Sequence, residues 1–156
     1  MKLIRSFLML AVVLLCSCTE DPILTAQEPN SMQTMTHKIN MTIDGKTQRV
    51  TLFVNEATET LLTTLGLAPL TYEANDFGGF EKVGPLGRSL PTNDTQINAQ
   101  PGDILLYHGD QIIVFYGANI WEYTRLGRIE GLSTEELKAF LKAGEGNVSI
   151  TLSLVE

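Results

Sequence analysis

The residues best suited to chemistry fall in one stretch, Phe115 to Ile129, which reads FYGANIWEYTRLGRI. It gathers Phe115, Tyr116, Trp121 and Tyr123 with Arg125 and Arg128, in a chain whose aromatic content is only 7%. In an extended strand residues two apart share a face, so Trp121, Tyr123 and Arg125 line one side and Glu122, Thr124 and Leu126 the other. A guanidinium beside two rings can stack on them for about 0.5–2 kcal/mol, depending on desolvation, and it stays charged at any working pH. Two uses of that face are open. It can form a shallow aromatic site that offers Arg125 to a carbonyl or carboxylate, or it can pack over the fold with Arg125 paired to a structural acid. Phe115 and Tyr116 point to opposite faces, so only one can join the wall, and Tyr116 is the candidate because Phe115 reads as core.

A second group lies in the glycine- and proline-rich run from Asp76 to Pro91. Loops carry function more often than cores do. Phe77 and Glu81 are its candidates: Glu81 can accept a hydrogen bond from a bound peptide amide, or Glu81-Lys82 can be a solvated pair with the glycines serving turns. His37 and His108 have no ligand partners at metal spacing, so neither a metal nor a cofactor is expected. No phosphate-binding loop, nucleotide fingerprint or Ser-His-Asp order is present. The formal net charge of −7 makes the chain a poor nucleic-acid binder.

Elements able to position these residues can be read from periodicity. Ile39, Met41 and Ile43 alternate with polar neighbours, Asp44-Gly45 follows, and Val50, Leu52 and Val54 continue the alternation, which predicts a hairpin with a type I′ turn. Glu56 to Leu65 suits a helix with Asn55 as N-cap and Gly66 as stop. Leu70 to Ala74 reads as a strand and Asp76 to Pro91 as a loop. Ile104–Tyr107 and Ile112–Tyr116 form a buried hairpin, its turn expected as type II′ at Gly109-Asp110. Trp121 to Arg128 is another strand. Ser133 and Glu136 make a capping box for a short helix that Gly144 and Gly146 end. Val148, Ile150, Leu152 and Leu154 give the clearest half-buried strand. Seven or so strands with two short helices imply a mainly β fold, a closed or nearly closed barrel.

The chain opens with Lys2 and Arg5 and then runs apolar from Phe7 to Leu15, too short to span a bilayer. Leu15-Cys16-Ser17-Cys18 resembles a bacterial lipobox. That resemblance implies a signal peptide over 1–17, cleavage before Cys18 and acylation of Cys18; an ordinary secretory signal with two incidental cysteines is the alternative. Several acyl chains make a stable anchor, so the mature chain would be held to a membrane without spanning it. Both cysteines are then spent, which leaves none for disulfides or metals. Residues 18–36 read as a flexible tether, and 37–156 is enough chain for one core. Glu20-Asp21 resembles the surface-export signal of some Gram-negative lipoproteins, which places the expected protein in the cell envelope, at the outer membrane and within reach of the surface.

Three further segments, DFGGFEKVGPLGRSLPT (Asp76–Thr92), GDILLYHGDQIIVFYG (Gly102–Gly117) and WEYTRLGRIEG (Trp121–Gly131), resemble the bacterial cyclophilin-like family. The resemblance covers nearly all of 37–156 and implies an eight-stranded cyclophilin-type barrel capped by two short helices. Two functions follow as expectations. One is a binding module without established catalysis that takes a peptide or small ligand near Trp121, Tyr123, Arg125, Tyr116 and the Phe77–Lys82 segment. The other is a prolyl isomerase that assists envelope protein folding, with Arg125 donating toward the prolyl amide and weakening its conjugation. Authentic cyclophilins carry an Arg-Phe pair before a Gln-Gly-Gly-Asp run; here Gly78-Gly79 is flanked by Phe77 and Phe80.

Overall fold

A computed structural model describes residues 35–156. Cys18, the signal segment and the tether up to residue 34 lie outside the described residues. β1 (Met35–Ile43) and β2 (Lys46–Phe53) form the expected hairpin, with Asp44 and Gly45 both in the left-handed region at φ 48° and 74°, as a type I′ turn requires. α1 (Glu56–Leu67) starts on a reciprocal cap: Thr58 N donates to Asn55 Oδ1 at 3.0 Å, and Asn55 N donates to Thr58 Oγ1 at 3.1 Å. The helix runs past Gly66 and ends at Ala68, which is extended at φ −166°. Pro69 explains the stop better than the glycine does, because the residue before proline is sterically pushed out of the helical region.

The remaining elements are β3 (Leu70–Phe77), β4 (Glu81–Pro85), β5 (Thr95–Ala99), β6 (Asp103–Tyr107), β7 (Gln111–Phe115), β8 (Asn119–Ile129), α2 (Thr134–Leu141) and β9 (Val148–Leu154). α2 carries the expected Ser133–Glu136 capping box. The β6–β7 turn centres on His108-Gly109, at φ 51° and 79°, one residue earlier than expected and with both central residues left-handed. β4 and β5 fall where the sequence reads as loop. β4 lacks apolar alternation because its inward positions are Lys82 and Gly84, and β5 is only five residues long with two buried side chains.

All strand pairings are antiparallel. The ring runs β2-β1-β9-β3-β4-β7-β6-β8, and β8 returns to β2 through Val50↔Ile129 and Leu52↔Gly127. Eight strands therefore close a barrel, and closure removes the free sheet edge. The interior collects alternate residues of the ring, among them Ile39, Met41, Val50, Ile104, Val114 and Ile150, and Leu61 and Leu141 of the two helices join the same cluster.

β5 is the ninth strand, and among the described residues it pairs only with Asn119–Tyr123 of β8. Ala99 pairs with Asn119, while Asp103 pairs with Arg128. A straight β8 would separate Asn119 from Arg128 by about 30 Å. The four-residue step from Ala99 to Asp103 reaches at most about 14 Å, and two inter-strand spacings add only about 10 Å. β8 must therefore bend. The bend lies around Thr124, which donates to Asp94 Oδ1 at 2.5 Å and accepts from Asn93 N at 2.7 Å, and next to the bulge that leaves Leu126 unpaired between Arg125 and Gly127. Beyond the bend, the β5–β8 ribbon covers the outer face of β6 and β7. There Ile97, Ala99 and Tyr123 bury Leu105, Ile113 and Phe115 in a second core.

Candidate functional site

A cavity of about 210 Å³ lies between that ribbon and the barrel wall. The ribbon contributes Asn119, Trp121 and Tyr123, alternate residues of one strand face; the wall contributes Glu81 of β4, Ile113 of β7 and Tyr107 of β6, with Phe77 at the end of β3. The β7–β8 link holds the two sides together. Tyr116 N and Gly117 N both donate to Phe80 O, at 2.9 and 2.8 Å. A Cβ on Gly117 would sit 2.6 Å from Phe80 Cβ, so only glycine permits this approach.

Tyr123 is buried and meets Phe115 and Tyr107 edge-on, with centroids at 5.7 and 6.1 Å. Its hydroxyl accepts from Asn119 Nδ2 at 2.9 Å, which leaves the phenolic proton free to donate. Trp121 and Phe77 are 58% and 62% exposed and form the open side. Glu81, opposite Phe115 in register, faces the same outer side of the wall. It is 5% exposed, and its Oε2 is buried without a hydrogen-bond partner. Burial pushes this carboxyl up to about 7, because low dielectric disfavours the charged form.

Lys82, the next residue, stands opposite Val114 and turns inward. It is fully buried rather than solvated beside Glu81. Lys82 Nζ donates to Gly146 O at 2.6 Å and pairs with Asp76 Oδ2 at 2.9 Å. Asp76 also accepts from Tyr116 Oη at 3.0 Å and from the backbone N–H groups of Gly144 and Gly146 at 3.0 and 2.9 Å. Burial alone would raise the Asp76 carboxyl; the hydrogen bonds from Lys82, Gly146, Gly144 and Tyr116 outweigh it and hold it below the usual range. Burial first, then the bond to Asp76, pushes Tyr116 up to about 12.

The cavity thus brings together Trp121, Tyr123, Phe77 and Glu81. It does not include Tyr116, whose ring joins the barrel interior. Nor does it include Arg125. Register places Arg125 opposite Leu105, on the same outer face as Tyr123, but the bend carries it away, and its guanidinium lies 5.5 Å over the Phe53 ring. Parity along one strand holds through the bend; direction does not. Three lining residues escaped the sequence reading, among them Ile113, which reads as buried strand. Asn119 was within reach, two residues before Trp121. Tyr107 was hidden in a strand that reads as buried on both faces.

A comparison with curated proteins gives no match. The solution structure of a hypothetical protein from Archaeoglobus fulgidus matches with a TM-score of 0.57 at 16% identity, covering 80% of this chain and 99% of that one. That likeness is one of fold. The model of the cyclophilin-like family matches residues 41–153, from within β1 to within β9. A match that spans the whole closed barrel shows that the chain belongs to the cyclophilin-like family.

Proposed function

We propose that the domain is a non-catalytic binding module, taking one side chain of a peptide or one group of a small ligand into the cavity between ribbon and wall. In this reading the mature protein is carried on a lipid at Cys18 in the bacterial envelope, at the outer membrane. The observation that supports binding most is Glu81: a carboxyl buried in an aromatic cavity with an oxygen that nothing in the domain satisfies. Buried polar atoms are almost always paired, so an orphan at a cavity asks for an explanation. A ligand donor is one. At about 210 Å³ the cavity is smaller than the roughly 300–1,000 Å³ typical of sites for drug-sized ligands, which suits a single side chain. Prolyl isomerisation draws no support from an Arg125 stacked on Phe53.

Trp121 is the chain's one tryptophan and stands at the open side of the cavity. Its fluorescence should therefore report occupancy. A panel of N-acetyl amino-acid methylamides, titrated into the mature protein, should contain members that shift Trp121 emission saturably, and Phe77→Ala should abolish the shift. Emission that no member of the panel moves would overturn the binding module. The anchor is tested separately. Cys18→Ala should transfer the protein from the membrane to the soluble fraction, and unchanged fractionation would refute the lipid.

A further inference from the structure

Resting on the binding-module reading, we infer that the group this cavity takes is an alkylammonium, as on a lysine side chain, held among the aromatic rings with Glu81 as its counter-ion. The lining turns away anionic and purely apolar groups. The hydrogen-bonding side chains at the cavity are Glu81, Asn119, Tyr107, Trp121 and Tyr123; among the described residues no Lys, Arg or His lines it. Lys82, adjacent in sequence, is turned into the barrel and engaged by Asp76 and Gly146. Arg125 lies over Phe53. An anion would meet a carboxylate and no cation. An apolar group would leave Glu81 Oε2 unsatisfied and buried, at the full desolvation penalty of that atom. An ammonium brings donors and no acceptor, and its charge is attracted to the faces of rings such as Trp121, Tyr107 and Phe77.

The same geometry makes binding depend on pH. The cation requires ionised Glu81, and in the free domain that carboxyl sits at about 7. Below this value each binding event must first expel a proton, so affinity falls as pH drops. Tyr107 and Tyr123 also face Glu81 across the cavity, and Tyr116 and Asp76 lie near it on the β3–β4 side. Tyr116 and Tyr123 are raised and Asp76 is lowered, away from neutrality. The His108 ring stacks on Tyr107 at 3.8 Å, next to the cavity lining.

The test uses Trp121 fluorescence with N-acetyl-lysine methylamide and its uncharged counterpart N-acetyl-norleucine methylamide, on the mature protein. At pH 8 the lysine derivative should bind at least tenfold more tightly than the norleucine one. Its affinity should fall about tenfold from pH 8 to pH 6, the change in ionised fraction of a group at about 7. Glu81→Gln should cost at least tenfold at pH 8 and remove the pH response; thermal unfolding verifies that the variant is folded. Equal binding of the two derivatives, or undiminished lysine binding by Glu81→Gln, would overturn the ammonium assignment. So would a pH response that survives Glu81→Gln. If other panel members bind and lysine does not, the assignment fails and the module stands; if none binds, both fall.

Discussion

Lys82→Ala is expected to destabilise the domain by about 3–5 kcal/mol, the usual cost of removing one partner from a buried ion pair. Lys82 is fully buried, and its ammonium is held between Asp76 and Gly146 O at one end of the barrel. Truncation would leave a cavity and strip Asp76 of its ionic partner in a network that also joins Tyr116 and the loop after α2. Lys82→Met should cost less, since it keeps the volume and Asp76 retains Tyr116, Gly144 and Gly146 as donors. The pH dependence follows from the lowered Asp76 carboxyl. A depressed acid contributes stability that is present above its ordinary value and is lost as pH falls through the folded one. Wild type should therefore lose stability on acidification more steeply than Lys82→Met, in which the main cause of the depression is gone. Denaturant unfolding at pH 7 and at about pH 2.5, below the ordinary carboxylate value, checks both points. A loss under about 1 kcal/mol for Lys82→Ala would mean that the amine is not buried as described.

What could be read from sequence divides along the range of the interactions. The Asp44-Gly45 hairpin, the Asn55 and Ser133 caps and the alternation of β9 are written in residues a few positions apart, and each has its expected conformation. β4 defeats the same reading because an interior position holds Lys82, whose partners are Asp76 across the β3–β4 turn and Gly146, 64 residues away in sequence. A lysine next to a glutamate looks solvated unless the other strand of the barrel is in view.

The site shows the same division. Parity gives Trp121 and Tyr123 one face, and both line the cavity. The separation of Arg125 from them depends on a bend that only the short link from β5 to β6 and the Asp94–Thr124 bond impose. Phe77 and Glu81 come to Trp121 through the Phe80–Gly117 contact. No local pattern encodes such a meeting of separate strands. The cyclophilin-like motifs indicated which segments matter but not how they face one another.

Glu81→Gln is expected to stabilise the ligand-free domain at pH 8 by about 3 kcal/mol and to change it little at pH 4. The carboxyl is raised from 4.5 to about 7 in the folded chain, and each unit of difference corresponds to about 1.36 kcal/mol. The sign is opposite to that for Asp76. A raised acid binds its proton more tightly when folded, so below the unfolded value it carries no charge and no penalty. As pH rises from about 4.5 to about 7, the unfolded state ionises freely while the folded state resists, and stability falls across that window. Glutamine keeps the shape and cannot ionise, so its advantage grows across the same window and levels off above it. Asp76 penalises acid and Glu81 penalises base, which places the stability maximum of the free domain between them. Equal unfolding midpoints for wild type and Glu81→Gln at pH 8 would show that the folded domain already satisfies the carboxylate. The orphan oxygen on which the binding site rests would then not exist. If the stabilisation is found, the domain carries at Glu81 a strain that a donor-bearing ligand would relieve, and Lys82→Met should leave the pH profile between 4.5 and about 7 unchanged, because Lys82 faces the other side of β4.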